Sequence, residues 1–487
     1  MAYKYEYLTE PFDHQRECLQ MSAHLAFFAY LMEMGTGKSK VLIDTVGFNF
    51  EQGKVDGLLI TCPKGIMFNW EQRELDKHLP PRIKRRIYKW KASPGIRDKA
   101  RMKKVLTREN GTLNVFIINI DALNTVKGQE AVRQFLSGHN AMWAIDESTG
   151  IKNPKAQRTK AVMKLKDMAV MRRIMNGAPI TQGPLDLYSQ FAFLSPEVFA
   201  QHRSYKSFVG MFAVTQKMKV AGNPRAFDRV VGYKNLDQLQ HMINPWSYRK
   251  LKTECLDLPD KVYQYYDVEL TKEQNKMYKD LSEEYISMWG GEVVTVSMAL
   301  TLAMRLHQIV CGHIGLDDSE SPSLIPNNRI KALIDILDQA AGKVVIWSCY
   351  RADTEAIATE VRKHYKDEKC IVEFHGGVND DARAQAVNSF EDEDSPVKYI
   401  VCSPQAAGRG LELIQGTTVV YYSSSFSLDD RMQSEDRSHR SGQTSKVTYI
   451  DLRCRGTVDE KIVGALRDKR SISAETLGDD PVAWLTE

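Results

Sequence analysis

The sequence predicts an α/β protein built as two tandem, doubly wound parallel-sheet lobes with helical insertions between them. Three observations carry this expectation. Short β-branched runs recur at 58–62, 115–119, 142–145 and 173–176 in the first half, and at 344–348, 371–374, 399–402, 419–422 and 447–452 in the second. Amphipathic stretches separate these runs, the pattern of buried parallel strands joined by crossover helices. The alternation stops between residues 195 and 328, which reads as mostly helical, most clearly at 238–243 and 272–288. The expected division is a first lobe over residues 1–250 with a helical protrusion at about 196–247, a brace or linker with a second protrusion over 251–327, and a second lobe over 328–487. A length of 487 residues fits this, since roughly 100–200 residues per domain allows two to four domains.

Composition removes several classes. Hydrophobic residues are 43% and charged residues 26%, ordinary for a soluble globular chain, so wholesale disorder is excluded. The longest apolar stretch, near 25–31, falls far short of the ~20 residues of a membrane helix. The N-terminus, MAYKYEYLTE, lacks the basic and apolar regions of a secretory signal. A soluble intracellular monomer, with no membrane partner, is the expectation. The eight cysteines never come closer than 21 positions, so neither a structural zinc ribbon nor a disulfide framework is expected. His307, Cys311 and His313 lie in an apolar helical run and read as packing residues; the alternative, a metal cluster, lacks a fourth ligand. No short repeat is present, and the acidic run 391–394 reads as a solvated loop. Lys plus Arg is 66 and Asp plus Glu is 62, a net +4, too little for a chain that coats nucleic acid by bulk charge. Any such surface must be local.

The sharpest local pattern is MEMGTGKSK at 32–40. A Gly-x-Gly-Lys-Ser turn leading into a helix aims successive backbone N–H groups at phosphate oxygens, and the helix N-terminus adds partial positive charge. Gly35, Thr36 and Gly37 would form the cradle, Lys38 would reach the β- and γ-phosphates, and Ser39 would ligate Mg²⁺. Met32 stands where the common pattern has a glycine, so a plain Gly-rich turn is the competing reading. Asp146-Glu147 follows the strand-like 142–145 run, the end of a strand at which doubly wound sheets place ligands. Asp146 would hold the metal through water and Glu147 would activate the attacking water; two such acids can equally be a solvated loop. Far downstream, QSEDRSHRSGQ at 433–443 sets Arg437 and Arg440 one helical turn apart. They are either surface salt-bridge partners or arginine fingers reaching a phosphate.

In order along the chain these pieces resemble the Swi/Snf-type helicase-like ATPases of helicase superfamily two, from about residue 8 to residue 470. PFDHQ resembles the adenine-reading segment, with Gln15 at the glutamine position. MEMGTGKS resembles that family's phosphate loop, which also lacks the early glycine. LLITCPKGIMFNWEQRE, IINIDAL, DEST and NGAPITQGPLDLYSQFAFLSP follow in family order. The second half continues with NRIKALIDIL and KVVIWSCY, FHGGVNDDARAQAVNSF, SPQAAGRGLEL, QSEDRSHRSGQ and GTVDEKIVGALRDK. YRKLKTECLDLPDK at 248–261 resembles the bracing peptide, and 196–325 the paired helical protrusions. The resemblance implies two RecA-like lobes, ATP and Mg²⁺ as cofactors, and Gly410 as a further nucleotide-binding position. It departs at Thr149, where relatives carry His, at Ala178, where they carry Thr, and at Arg409 and Glu412, where many carry Leu and Asn.

A motor of this class needs a cationic track for the DNA backbone. Segment 81–104 holds eleven Lys or Arg against one Asp, with Tyr88 and Trp90 interleaved. Arg85, Arg86 and Lys89 are the candidates there; the competing reading is a solvated loop and helix. Lys64 and Ser403 are motif positions where relatives touch backbone, and Trp70 either braces the track or packs. The expected function is an ATP-dependent translocase on double-stranded DNA. The alternatives are a strand-separating or fork-remodelling helicase, for which no pin or hairpin is evident, and a non-catalytic DNA-binding scaffold. The short stretch before the first motif reads as a bacterial or phage-encoded protein, cytoplasmic or nucleoid-associated.

Overall fold

The computed structural model describes residues 5–202, 204–218, 227–288, 296–315, 323–407, 411–440 and 442–477. Two compact units divide the chain. The first comprises Met1–Val214, Tyr233–Asp257 and Ile472–Asp479, and the second Thr215–Gly232, Leu258–Ser471 and Asp480–Glu487. Each is built on one parallel sheet.

In chain order the first unit's strands are β1 (Phe27–Met32), β2 (Gly57–Cys62), β3 (Arg85–Lys89), β4 (Leu113–Asn119), β5 (Ala141–Asp146) and β6 (Met171–Met175). After them come β7 (Ala213–Met218), β8 (Phe227–Tyr233), β9 (Ser247–Lys250), β10 (Lys261–Asp267), β11 (His313–Ile314) and β12 (Ser323–Leu324). The second unit's sheet is completed by β13 (Lys343–Trp347), β14 (Ile371–Phe374), β15 (Tyr399–Cys402), β16 (Gly416–Tyr421) and β17 (Val447–Arg453). The sheet orders are β3-β4-β2-β5-β6-β1-β9 and β10-β17-β16-β13-β15-β14, and every strand pair in both is parallel.

A parallel sheet needs cover on both faces, and the side chains of each strand divide accordingly. Trp143 and Ile145 of β5 enter one core of the first unit, while Met142 and Ala144 enter the other. Val344 and Ile346 of β13 face one core of the second unit, and Val345 and Trp347 the other. Arg173 on β6 is fully buried, yet its guanidinium donates to the carbonyls of Ser22, Leu25, Ala26 and Arg172 and to the Tyr30 hydroxyl, at 2.6–3.1 Å. It thereby ties the end of helix Asp13–Ser22 and the turn that follows it to β6.

The region between 195 and 328 departs from its mostly helical expectation. Helices Tyr205–Phe212, Leu236–Ile243, Lys272–Met288 and Val296–Cys311 are present. So are a two-stranded ribbon of β7 and β8, a second pair of β11 and β12, and the edge strands β9 and β10 of the two large sheets. Edge strands and ribbons bury one face at most, so their sequences, such as AVTQKM and KVYQYYD, lack the continuous apolar run that marks a central strand. Segment 81–104 likewise holds strand β3 and helix Ile96–Leu106. Among the described residues no helix is long and apolar enough to cross a membrane.

His307, Cys311 and His313 form a buried polar network with no metal cluster among the described residues. His307 Nδ1 lies 2.9 Å from the Tyr350 hydroxyl and His313 Nδ1 2.9 Å from Asp353 Oδ1. Burial, with help from the nearby Arg329 guanidinium, lowers the His307 imidazole from 6.5 to about 3. A histidine depressed in this way stabilises the fold fully above pH 6.5, and that contribution is lost as pH falls toward the folded value. His78, lowered by burial to about 4, acts in the same direction. Asp44, raised by burial to about 6 against its Lys40 partner, acts oppositely between 3.8 and 6 and masks His78 in the first unit. Stability in guanidinium should therefore drop as pH falls from 6.5 to 4, by on the order of 1.4 kcal/mol per pH unit per depressed histidine. His307→Gln should flatten the profile measurably; an unchanged slope would contradict the assignment.

Candidate nucleotide site

The loop between β1 and helix Lys38–Glu51 turns through two left-handed glycines, Gly35 at φ 80° and Gly37 at φ 90°, a region L side chains avoid. Space forbids a side chain too: a β-carbon on Gly37 would fall 2.1 Å from Gln15 Nε2. Gln15 and His14 both hold the Thr36 carbonyl, at 3.0 and 2.8 Å, and the Phe12 amide donates to Gln15 Oε1 at 3.1 Å. The PFDHQ segment thus fixes the shape of the loop as well as standing beside it. Lys38 Nζ donates to the carbonyls of Met32 and Glu33 at 2.9 and 3.1 Å. An ammonium has three N–H donors, so one remains for a phosphate oxygen.

Asp146 closes β5 with 9% exposure. Its Oδ2 accepts from Trp70 Nε1 at 2.9 Å and its Oδ1 from the Glu147 amide at 3.0 Å. Trp70 opens a one-turn π-helix, Trp70–Glu74, an irregularity that re-aims side chains at functional sites. Glu147 takes the left-handed conformation, φ 53° and ψ 62°, which costs a non-glycine residue on the order of 1 kcal/mol or more. This turn lifts its side chain off the strand direction. In the sheet, β6 alone separates β5 from β1; two inter-strand steps of ~4.8 Å bring Asp146-Glu147 and the glycine loop to one edge. Glu74 stands near Ser39 and Asp146: burial pushes its carboxyl up and the Asp146 charge adds to the rise, while Lys77 and the Ser39 hydroxyl oppose it. Ser39, Asp146 and Glu74 form an oxygen-only group, the donor chemistry that Mg²⁺ takes. Among the described residues no group of three or more His, Cys, Asp or Glu side chains could hold a metal ion.

Ties run from these acids to the NGAP segment. Ser148 Oγ donates to Gln190 Oε1 at 2.6 Å, and Gln190 Nε2 donates to the Pro179 and Asp186 carbonyls at 2.7 and 2.8 Å. Thr149, at the position where relatives carry His, accepts from Asn176 Nδ2 at 3.4 Å. Beside the loop lies a cavity of about 800 Å³ lined in part by Phe12, His14, Glu17, Lys250 and Cys255. Phe12 is 62% exposed there and stacks on His14 at 6.0 Å, a flat apolar face next to the glutamine.

In the second unit, Arg437 lies on helix Leu428–Ser438, buried, with Nη1 donating to the Leu411 carbonyl at 3.2 Å. The helix ends at Ser438, so Arg440 stands beyond it, and the one-turn relation expected from their spacing does not hold. Arg440 instead pairs with Glu412 at 3.0 Å. Both arginines therefore converge on segment 411–412 by another route. The Glu412 departure thus supplies this ion pair. Gly410 and Arg409 lie outside the described residues. Glu435 anchors the same helix. In spite of burial, Lys261, Arg431 and Arg470 hold its carboxylate below the usual range.

The cationic candidates separate into two groups. Arg85 pairs with Asp76 at 2.6 Å, Arg86 with Glu109, and Lys89 with Glu71 at 2.6 Å. Arg85 and Arg86 enter β3 at the sheet edge opposite the glycine loop. Tyr88 is buried core rather than a stacking platform. By contrast, Arg97, Lys99, Lys103 and Lys104 on the helix Ile96–Leu106 are exposed, with no carboxylate partner among the described residues. Lys64 is exposed just past the end of β2, at the edge that carries the glycine loop. Ser403, half-buried, follows β15, and its amide donates to the Phe374 carbonyl at 3.0 Å. Sequence reasoning missed Gln190, Glu74 and His14; only Glu74, an acid four residues after Trp70, carried a local signal, that of helical spacing.

A left-handed glycine loop with Lys38 and Ser39, and the acids Asp146 and Glu147 two strands away, give this two-sheet α/β chain a candidate phosphate site. Residues 17–314 match the SNF2-related domain and residues 328–442 the helicase conserved C-terminal domain, and the chain belongs to the SNF2-related family. It is 24% identical over 451 residues to the Homo sapiens DNA annealing helicase and endonuclease ZRANB3, covering 91% of this chain and 38% of that protein. Against the TATA-binding protein-associated factor MOT1 of Saccharomyces cerevisiae the identity is 22%, over 85% of this chain and 24% of the relative. A solved Sulfolobus solfataricus SWI2/SNF2 ATPase core in complex with dsDNA aligns over 100% of this chain and 97% of that one, at TM-score 0.43 and 23% identity. The chain spans less than half the length of these curated relatives.

Trp70→Phe keeps the buried ring and removes the donor to Asp146. Loss of a partner that orients a metal ligand typically costs about tenfold or more. Nucleotide binding titrated against Mg²⁺ should therefore need roughly ten times more metal in this variant, with nucleotide affinity in the absence of metal unchanged.

Proposed function

We propose that the chain is a DNA-dependent ATPase that couples ATP hydrolysis to movement along double-stranded DNA. The observation that carries the ATPase reading is the convergence of Lys38, Ser39, Asp146 and Glu147 on one edge of the first sheet, with Trp70 and Gln15 fixing the two halves. Lys38 would bind the β- and γ-phosphates, and Ser39 and Asp146 would hold Mg²⁺, an ion that would supply neutralising charge to the phosphate oxygens. Glu147, turned off the strand by its left-handed backbone, orients and deprotonates the attacking water. Arg437 and Arg440 are assigned to the charge that develops on the γ-phosphoryl group. We take residues 1–250 as the ATP-binding lobe, 251–327 as brace and protrusion, and 328–487 as the second helicase lobe.

The DNA reading rests on family membership and on the exposed Arg97, Lys99, Lys103 and Lys104 of helix Ile96–Leu106, which have no carboxylate partner among the described residues, together with Lys64. Arg85, Arg86 and Lys89 are weaker contributors, since their charge is already offset by acids. An intracellular site of action, cytoplasmic or nucleoid-associated, follows from a DNA substrate. The two-stranded ribbon of β7 and β8 favours a second reading, strand separation, because a ribbon can serve as a pin where the sequence shows none.

Duplex DNA should stimulate ATP turnover, and Lys38→Ala should abolish it. Glu147→Gln should bind ATP normally and turn over at least ~100-fold more slowly, the scale of general-base loss. Stimulation by RNA alone would sink the DNA reading. Displacement of a triplex strand without unwinding of a forked duplex favours translocation, and the reverse favours the pin.

A further inference from the structure

We propose that Lys252 is a second phosphate-contacting lysine of the nucleotide site, supplied by the peptide that leads out of the first sheet. This rests on the phosphate-loop reading above. β9 pairs in parallel with β1, the strand that feeds the glycine loop, and the two remain tied beyond their ends. The Glu33 amide donates to the Lys250 carbonyl at 2.9 Å, and the Lys252 amide donates to Glu33 Oε2 at 2.7 Å. Arg249 fixes the same strand from its other side, donating to the Leu31 and Gly177 carbonyls at 3.0 and 2.9 Å. Residue 252 is thus clamped by its backbone to the residue that opens the loop.

Its side chain then runs along the loop. Lys252 is 5% exposed, and its Cε and Nζ lie 3.5 and 4.0 Å from where a β-carbon on Gly35 would sit. The same short turn carries Lys38 and the N-terminus of helix Lys38–Glu51. Lys252 has interactions of its own there, and together with Lys38 and the helix N-terminus it concentrates positive charge at one short loop, an arrangement that suits a polyphosphate. The chain continues from Lys252 into β10, the edge strand of the other sheet, which begins at Lys261. A phosphate held by Lys252 therefore pulls on the peptide that joins the two sheets, so that nucleotide occupancy is felt in the connection itself.

The test compares full-length wild type, Lys252→Met, Lys252→Arg and Lys38→Ala. Affinity for Mg²⁺ with ADP and with a slowly hydrolysed ATP analogue is measured by calorimetry, alongside Tm with and without nucleotide and hydrogen exchange of peptides spanning 251–257. Removing one charge-assisted contact predicts about a tenfold loss of analogue affinity in Lys252→Met, with Lys252→Arg recovering most of it. The nucleotide-induced rise in Tm should shrink in step, and nucleotide should slow exchange over 251–257 in wild type but not in Lys252→Met. A purely structural lysine would lower Tm without nucleotide and leave both nucleotide-dependent readouts intact. If Lys252→Met binds within threefold of wild type while Lys38→Ala does not, the inference is overturned and the phosphate-loop reading stands. If Lys38→Ala also binds like wild type, that reading itself fails. Should Met prevent folding, Lys252→Gln set against Lys252→Arg carries the same comparison.

Discussion

A fully covered parallel sheet is the constraint on which the rest of this protein depends. Every side chain of β5 is buried, and alternate residues feed cores on opposite faces, so a charged or polar group along that strand costs free energy unless it is paired. Reacting groups can appear only where strands end, and parallel strands all end on the same edge. That is why a lysine at position 38 and acids at 146 and 147 share one edge of the sheet without any local sequence relation. The right-handed crossover connections required by such a sheet then put a helix N-terminus behind the glycine loop, adding its partial charge at no further cost.

What the sheet cannot supply is polar satisfaction at that edge, and specific struts provide it. Asp146 is a nearly buried carboxylate, and Trp70 and its neighbour's amide each take one of its oxygens. The Thr36 carbonyl faces inward and is held by His14 and Gln15. Gln190 spends its amide hydrogens on the Pro179 and Asp186 carbonyls and its oxygen on Ser148, locking the acidic loop to the NGAP segment. The bonds of Trp70 to Asp146, Ser148 to Gln190, and His14 and Gln15 to Thr36 join residues 76, 42, 22 and 21 positions apart, so they tie together loops that the chain itself keeps separate.

This separates what could be read in the sequence from what could not. The central strands were legible, because burial on both faces demands unbroken apolar runs. Strands β9 and β10 and the β7–β8 ribbon were not, because an edge or a ribbon buries too little to leave that mark. β3 was hidden inside a basic stretch: in RRIYK only Ile87 and Tyr88 turn inward, and the cations occupy the exposed rim. Contiguous chemistry such as GTGKS was legible from spacing alone. Trp70 and Asp146 are 76 positions apart, and a tryptophan that both packs and donates has no pattern to distinguish it from one that only packs. Arg437 and Arg440 show the opposite limit, since helical spacing implied a shared face and the helix stops between them.

The modest net charge takes on a different sense once the fold divides it. An edge strand exposes unpaired backbone and invites pairing with other chains unless charge protects it. Arg85, Arg86 and Lys89 line such an edge and are matched by Asp76, Glu109 and Glu71, so they guard the sheet while contributing little field. Arg97, Lys99, Lys103 and Lys104, on the neighbouring helix, are exposed without such matching among the described residues, and a phosphate backbone gains most by meeting charge that no carboxylate has already satisfied. Acids and bases that nearly balance over the whole chain can therefore coexist with a concentrated positive face, because pairing is decided residue by residue at the sheet edge and not by the total.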